Sequence, residues 1–208
     1  MRARITFSKT GAQRYIGHLD LQTLWERAAR RAGLPLAYSH GFHPQPKITF
    51  ASALPLGFSS RAEVMDIRLQ SDMSPNDLPR LLKDALPPGI DILAVEQVDE
   101  GEPALQVQIQ SAEYQVTPIE PLDADQLRRG VERILQAESL PRTRRQKSYD
   151  LRPLIEELRV GEMDGKTGLS MRLAAREGAT GRPEEVLSEL GIAANDARIE
   201  RTRLIFQR

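Results

Sequence analysis

The spacing of the apolar residues changes in the same order in both halves of the chain. Residues 2–8 alternate between polar and apolar, as in a half-buried strand. From Leu21 the apolar positions recur at helical spacing until Gly33 and Pro35 end the helix. Two short alternating segments, a leucine-rich helical stripe and one more alternating segment complete residues 1–98. This order of strand, helix, strand, strand, helix, strand is typical of a ferredoxin-like unit.

The second half repeats this order without obvious repetition of sequence. Its predicted strands are 105–116, 154–160, 169–173 and 198–206, and its predicted helices are 127–135 and 183–190. The polar, breaker-rich segment 99–103 predicts a boundary between the halves. We therefore predict an α+β protein of two ferredoxin-like halves, residues 1–98 and 104–208. Each half is expected to be an antiparallel sheet with helices on one face.

The composition supports a packed core and excludes several classes of protein. The chain has 208 residues, of which 40% are hydrophobic and 28% are charged, and no apolar run approaches the roughly 20 residues of a membrane span. It has no cysteine. This excludes disulfides, thiol nucleophiles, thiolate zinc sites and an ordinary iron–sulfur cluster. We expect a cytoplasmic protein that binds no membrane, and we predict no cofactor.

The formal net charge is zero, but the charges are segregated along the chain. Residues 1–50 carry 8 Lys/Arg against 2 Asp/Glu, and residues 51–100 carry 4 against 9. Two later segments are basic, 139–152 with 5 against 1 and 197–208 with 4 against 1. If folding brings the three basic segments together, they form one positive face that attracts phosphate. Otherwise they belong to a mixed, solvated surface, and the sequence leaves both open.

All three histidines lie between residues 18 and 43, within or close to segments that are typical of loops. His18 stands at the predicted start of the first helix, and the other two histidines lie in the proline-bounded loop 38–47. We expect these two places to form one ligand site, because imidazole binds phosphate or metal and relays protons near neutral pH. The assigned residues are His18, Asp20, His40, Gly41, Phe42, His43 and Lys47.

The histidines leave several chemical roles open. A metal would need a stronger ligand spacing than this, and we predict no metal site. His18 with His40 or His43 would serve as base and acid in RNA cleavage, in which the 2′-hydroxyl is the nucleophile. Alternatively, Asp20 accepts from backbone N–H groups at the helix start and the histidines only hold the loop. The fourth role is binding of phosphate or nucleic acid without catalysis.

Arginines and lysines outside this region supply further candidates for contact with nucleic acid. The first helix places several arginines away from its apolar stripe, a dense basic run follows Pro141, and the last strand is predicted to place two arginines on one face. Each of these groups is equally compatible with a solvated surface. The assigned residues are Arg27, Arg30, Arg31, Arg142, Arg144, Arg145, Lys147, Arg201 and Arg203.

Four ordered segments of residues 1–70 resemble the radical-SAM-linked family of proteins. They are Gly-His-Leu-Asp at 17–20, Arg-Arg-Ala-Gly-Leu-Pro at 30–35, the run from 38 to 48, and Leu-Pro-Leu-Gly at 54–57. Asp-Leu-Arg-Pro at 150–153 is similar to a segment of the same family. The resemblance implies association with a radical S-adenosylmethionine (radical SAM) protein, and it implies no activity of the chain itself. The partner would then hold the cysteine-bound cluster that this chain cannot supply.

A more remote resemblance is to the repeat-associated RNA endonucleases of CRISPR systems. These also have tandem ferredoxin-like halves and often a histidine near the first helix, where this chain has His18. Their glycine-rich loop near the C-terminus is not recognisable here, since only Gly178 and Gly181 occur, in a different apparent position. This departure weakens the expectation of cleavage more than that of RNA binding.

Together these features predict a non-catalytic partner of a radical SAM enzyme that helps present RNA or another phosphate-bearing substrate. Two alternatives stay open. One is a metal-independent endoribonuclease that uses His18 with His40 or His43. The other is an adaptor that binds the enzyme without nucleic acid.

Overall fold

The chain is α+β, and it forms two compact units, Met1–Gln108 and Ile109–Arg208. The computed structural model describes residues 1–144, 146–163 and 165–207. Each unit contains its own antiparallel strands and two helices, so the predicted fold class is confirmed. The first unit includes the polar segment 99–103, at which the sequence predicts the boundary.

The first unit has the predicted order of elements. They are β1 (Arg2–Lys9), α1 (His18–Arg31), β2 (Ile48–Phe50), β3 (Ser59–Arg68), α2 (Asp77–Leu82) and β4 (Ile92–Val98). Short 3-10 turns cover Gly11–Tyr15 and Leu105–Gln108.

Four strands of the first unit form a sheet in the order β4-β1-β3-β2. All neighbours are antiparallel, with Ile5 opposite both Met65 of β3 and Val95 of β4, and Phe50 of β2 also opposite Met65. This order, with one helix after the first strand and one after the third, is the ferredoxin-like topology.

The core of the first unit lies between its sheet and its two helices. Ala3, Ile5 and Phe7 of β1 are fully buried, and they share one hydrophobic cluster with the buried residues of α1 and α2. Trp25 of α1 meets Phe7 edge to face, with ring centroids 4.9 Å apart. Both helices therefore cover the same face of the sheet, as the period-two pattern of β1 predicts.

The second unit repeats the topology with two additions. Its elements are β5 (Ile109–Pro118), α3 (Ala124–Gln136), β6 (Pro141–Arg144), β7 (Lys147–Asp150), β8 (Ile155–Met163), β9 (Lys166–Arg176), β10 (Ala179–Thr180), α4 (Pro183–Glu189) and β11 (Ala197–Phe206). The sheet order β11-β5-β9-β8 corresponds strand for strand to that of the first unit. The additions are the β6–β7 hairpin and β10, which pairs with the end of β9.

A side chain caps the start of α3. α3 begins after Asp123, whose carboxylate accepts from the backbone N–H groups of Asp125 and Gln126 at 2.8 and 3.0 Å. α1 is the longest helix of the described residues, with 14 residues. None of the described helices is long and apolar enough to cross a bilayer.

Two local predictions were wrong. Residues Leu105–Gln108 are a 3-10 turn and not strand, because only Leu105 of that segment is fully buried while Val107 is half exposed. The leucine-rich stripe predicts that the second helix continues to Leu86, but α2 is six residues long and ends at Leu82. The basic run after Pro141, for which the sequence predicts no helix or strand, forms most of the β6–β7 hairpin.

Each unit carries a hairpin in the connection between its first helix and its second strand. In the first unit this is the segment 37–47, between α1 and β2, which we call the histidine hairpin. In the second unit it is β6–β7, between α3 and β8. The two hairpins contain most of the residues that the sequence assigns to binding, and they occupy equivalent places in the topology.

Candidate functional site

The histidine hairpin is held at its base by a short antiparallel ladder. Tyr38 is bridged to Pro46, and the Ser39 backbone N–H donates to the Gln45 carbonyl oxygen at 2.8 Å. The Gln45 backbone N–H in turn donates to Ser39 Oγ at 3.0 Å. Gly41 has φ +127°, a conformation that glycine tolerates and other residues rarely adopt. The loop is therefore a built hairpin with a defined tip, and not an unstructured connection.

The tip of the histidine hairpin is fully presented to solvent. His40, Gly41 and His43 are exposed, and Phe42 has no part of its side chain buried. Lys47 lies at the base, where it lines a cleft of about 300 Å³ together with Arg68. No carboxylate occurs between residues 37 and 47. The hairpin thus combines an exposed aromatic ring, two imidazoles and one ammonium group without a compensating negative charge.

His18 lies elsewhere, as the first residue of α1. Its ring packs edge-on against Phe50, with centroids 5.4 Å apart, at the C-terminal end of β2. The histidine hairpin joins β2 at the opposite end, before Ile48. Asp20 is in the first turn of α1, where the positive end of the helix dipole stabilises a carboxylate.

The structure shows no contact among the three histidines, which the sequence predicts to share one site. Among the described residues, no hydrogen bond or ring contact joins His18 to His40 or His43, and none joins His18 to Asp20. Within the same residues no group of three histidines or carboxylates has the geometry of a metal site. A base and acid pair built from His18 and the hairpin imidazoles therefore has no geometric support.

Two of the predicted arginines of α1 line a groove in the first unit. Arg27 and Arg31 lie there with Asp20, beside Leu86 and Pro87, in a volume of about 420 Å³. The Arg31 guanidinium donates to the Ala85 carbonyl oxygen at 3.4 Å. Arg30 is not among the groove residues, and its guanidinium is 3.9 Å from the Glu26 carboxylate.

The second unit contains the largest of the described clefts, about 620 Å³, which we call the basic cleft. Two segments that are distant in sequence form it, the β6–β7 hairpin and the segment from Gly178 to Arg182. Its lining residues are Arg144, Lys147, Ser148, Tyr149, Asp150, Leu154, Gly178, Thr180 and Arg182. The cleft therefore brings part of the predicted basic run beside Arg182, which the sequence does not assign to binding.

Two of these cations face each other directly. Arg144 of β6 is paired with Lys147 of β7 in the hairpin register. Like charges in opposite positions destabilise an antiparallel pair. Both side chains are exposed, and neither has a carboxylate partner in the described part of the chain. The hairpin thus carries a repulsion that an anionic ligand would relieve.

The one carboxylate that lines the basic cleft is committed to the backbone. Asp150 Oδ1 accepts from the N–H groups of Leu140 and Arg152, at 2.7 and 2.9 Å. These two hydrogen bonds hold the pKa of Asp150 below its usual value, because they favour the ionised form. Asp150 therefore closes the base of the β6–β7 hairpin, which gives the Asp-Leu-Arg-Pro segment a structural role.

A hydrogen bond to Glu185 fixes the side chain of Tyr149 in the cleft. Its hydroxyl donates to Glu185 Oε1, which also accepts from the Arg182 guanidinium at 3.4 Å. Burial, and after it the hydrogen bond and charge of Glu185, raises the pKa of Tyr149, so the phenol stays protonated at neutral pH. The ring is consequently held in one orientation without adding negative charge to the cleft.

The other predicted basic residues lie outside the cleft. Arg142 forms an ion pair with Glu189 of α4, which neutralises it, and Arg145 lies outside the described residues. Arg203 is exposed, whereas Arg201 is only 1% exposed. The expectation that Arg201 and Arg203 share an exposed face was wrong for Arg201. β11 shifts register between them, which interrupts the regular alternation of the strand.

The glycines before α4 serve packing and turning. Gly178, with φ +75°, lies in the turn between β9 and β10. The Gly181 backbone N–H donates to the Ala174 carbonyl oxygen at 2.8 Å and is not available to an anion. The sequence does not single out Tyr149 and Arg182 as candidate site residues, because only the fold brings the 178–182 segment beside the hairpin.

The comparisons with known proteins identify a family and a fold. A family model described as "Uncharacterized protein conserved in bacteria (DUF2344)" matches residues 2–183. No curated protein matches the chain. Among solved structures, a chain of a Cbf5–Nop10–Gar1 complex superposes with a TM-score of 0.52 and 9% identity, over 97% of this chain and 48% of that chain.

A second similar structure is a chain of the archaeal box H/ACA sRNP Nop10–Cbf5 complex. Its TM-score is 0.43 at 10% identity, over 96% of this chain and 46% of that chain. The present chain thus spans about half the length of both solved chains. At 9% identity the first match shows a shared fold.

Proposed function

We propose that this chain, which belongs to the DUF2344 family, is an RNA-binding accessory protein of a radical SAM enzyme. The RNA-binding part rests on the basic cleft of the second unit. The enzyme partnership rests on the resemblance of segments 17–20, 30–35, 38–48 and 54–57 to the radical-SAM-linked family. The two parts are tested separately.

The observation that carries RNA binding is the pair of cations Arg144 and Lys147, which have no carboxylate partner among the described residues, whereas Arg182 in the same cleft pairs with Glu185 at 3.4 Å. All three cations line the basic cleft, and the single lining carboxylate, Asp150, is turned to backbone donors. Phosphate is the common biological anion that matches several arginine and lysine groups at once, and its polymers release counterions on binding. Arg27 and Arg31, which line the groove beside Leu86 and Pro87 in the first unit, are proposed as a further phosphate contact.

RNA binding is tested by measuring affinity for transfer and ribosomal RNA over a series of salt concentrations. We expect affinity to fall steeply with salt, and Arg144→Ala or Lys147→Ala to reduce the slope of log K against log salt by about 0.7 each on single strands. Arg128→Ala is the matched control, because Arg128 is an exposed arginine of the same unit that pairs with Asp125 at 2.7 Å. Absence of binding by the full chain at low salt would refute the RNA part.

The histidine hairpin is proposed as the second contact, through His40, Phe42, His43 and Lys47. Its positive character and exposed ring suit either the RNA or the partner enzyme. Phe42→Ala should leave the free energy of unfolding within about 0.5 kcal/mol of wild type, since the side chain is fully exposed. Loss of enzyme capture with retained RNA affinity would assign the hairpin to the enzyme, and the reverse result would assign it to RNA.

The proposed partner is a radical SAM enzyme that provides its own iron–sulfur cluster. The chain has no cysteine with which to hold one. Co-expression followed by affinity capture tests the complex directly, and failure of the two proteins to copurify anaerobically would refute the partnership. Capture of the enzyme together with no RNA affinity would favour the adaptor alternative.

Cleavage of RNA is the remaining alternative. It predicts that purified chain cuts labelled RNA without metal, and that His18→Ala or His43→Ala abolishes the cut. No observation in the structure favours it, because His18 packs on Phe50 and has no contact with the hairpin histidines among the described residues. We expect intact RNA after incubation.

A further inference from the structure

The basic cleft has the size and lining of a site for one nucleotide. Its volume of about 620 Å³ lies within the usual range for small-molecule sites. Cations line it from two segments, Arg144 and Lys147 from the hairpin and Arg182 from the segment before α4. Leu154 adds a buried apolar surface, and Tyr149 adds an aromatic ring. The cations suit the phosphate of a nucleotide, and the aromatic ring and the apolar surface suit its base.

We propose that the basic cleft receives a single unstacked nucleotide of an RNA strand, with its phosphate at Arg144 and Lys147 and its base on the ring of Tyr149. This inference rests on the proposed function and specifies its ligand, an unpaired segment of RNA. It differs from general attraction of phosphate because it requires an aromatic contact.

Tyr149 is suited to stacking because it is already held in place. Its hydroxyl is engaged by Glu185, and the same Glu185 oxygen accepts from Arg182 at 3.4 Å. A ring that is fixed before binding loses little conformational entropy when a base packs on it. Bases stack on aromatic side chains without regard to sequence, since every base has a π face. The cleft should therefore select unpaired nucleotides and not a particular base.

The position of the ring argues against double-stranded RNA. Tyr149 is half buried within the cleft, whereas Arg144 and Lys147 are exposed at the hairpin end. Bases in an A-form duplex are stacked on each other and cannot lie flat on a side chain inside a cleft. A duplex would reach only the exposed cations. Single-stranded RNA would reach both the cations and the ring.

The test compares full-length variants that separate the ring from its hydroxyl. Affinity is measured by fluorescence anisotropy with a labelled single-stranded oligouridine and with a duplex RNA of equal length. We expect Tyr149→Phe to bind the single strand within about twofold of wild type, and Tyr149→Leu to bind it about tenfold more weakly. Duplex affinity should be lower than single-strand affinity and equal in all three proteins.

A second measurement guards against misfolding of Tyr149→Leu. The only natural tryptophan, Trp25, is fully buried, so a Tyr149→Trp variant introduces a distinct reporter. Oligouridine should quench the fluorescence of Tyr149→Trp. It should not quench that of Leu93→Trp, a control at an exposed position of β4 in the first unit.

The outcomes separate this inference from the proposed function. Equal single-strand affinity of wild type and Tyr149→Leu, together with weaker binding by Arg144→Ala, would overturn the nucleotide site and leave RNA binding standing. The same holds if Tyr149→Trp is not quenched at saturating oligouridine. If no variant binds either RNA at low salt, both proposals fail. Binding of polyglutamate in that case would assign the cleft to an acidic protein segment.

Discussion

At the scale of single residues, Arg144 and Lys147 are a pair of like charges that does not favour stability. They are directly opposite each other in the β6–β7 register and lack carboxylate partners among the described residues. We expect Lys147→Glu to replace this repulsion with attraction and to raise the free energy of unfolding by about 0.5 kcal/mol. RNA affinity should fall at the same time.

The measurements for Lys147→Glu are urea unfolding and RNA anisotropy on one protein preparation. Arg128→Glu is the control for affinity, because Arg128 is exposed on α3 of the same unit and outside the basic cleft. A variant that becomes less stable while retaining full RNA affinity would contradict both the repulsion and its functional explanation.

Asp150 makes the stability of the fold depend on pH in the acid range. Its folded-state pKa lies below the unfolded value of 3.8, so the carboxylate contributes stability above that pH and loses it as pH falls through the folded-state pKa. We expect Asp150→Asn to have a lower Tm than wild type at pH 7. The difference in Tm should shrink below about pH 3.8. A difference that is constant with pH would contradict this account.

The sequence singled out some residues of the candidate site and not others for a physical reason. Lys47 and Phe42 could be singled out because they stand in a polar, breaker-rich loop without acidic residues. The expected meeting of His18 with His40 depended on tertiary distances, which spacing along the chain does not determine. Arg201 looked exposed by alternation, but the register shift of β11 changes its environment.

At the scale of elements, the periodic segments were predictable and the irregular ones were not. β1 and α1 begin and end near their predicted positions because their apolar residues follow periods of two and 3.6. The β6–β7 hairpin has few apolar residues, and its pairing is fixed by Asp150 hydrogen bonds that no periodicity reveals. The alternation of Leu105–Gln108 continues into β5 without a break, so the pattern does not show where the 3-10 turn ends and the strand begins.

The connection from α2 to β4 depends on a glycine for two separate reasons. Gly89 has φ +93°, and a Cβ there would lie 2.6 Å from the Thr10 carbonyl oxygen. Gly33, after α1, has φ +69°, and a Cβ there would meet nothing within 4 Å beyond its own chain neighbours. We expect Gly33→Ala to cost about 1 kcal/mol of stability and Gly89→Ala at least about twice that.

Urea unfolding of the two alanine variants measures the difference. Both variants place alanine at a positive φ, and Gly89→Ala is expected to lose more because its φ of +93° is further from the left-handed region and because its Cβ meets Thr10. Equal losses would contradict this prediction.

At the scale of the whole molecule, the two units have the same order of strands and helices. The prediction of two ferredoxin-like halves was possible because the order of periodicities alone leaves few topologies. The basic cleft was not predictable from the sequence, because it needs residues 144–149 and 178–182 to meet across about thirty positions of chain.

The lack of cysteine gives a prediction for the whole chain in its proposed complex. Anaerobic incubation of the chain with iron and sulfide should produce no cluster absorbance. The absorbance should appear in the fraction that contains the partner enzyme, and the chain should coelute with it. A cluster bound by the chain alone would contradict the proposal that the partner enzyme holds the iron–sulfur cluster.

Both hairpins hang from the same kind of connection, between a first helix and a second strand, and neither supplies one of the four ferredoxin-like strands of its unit. Their tips can therefore diverge in length and chemistry while the scaffold stays intact. Grafting one tip onto the opposite scaffold would transfer its proposed binding residues without redesigning a core, and if the proposal holds, family members with altered ligands should differ first at these two insertions.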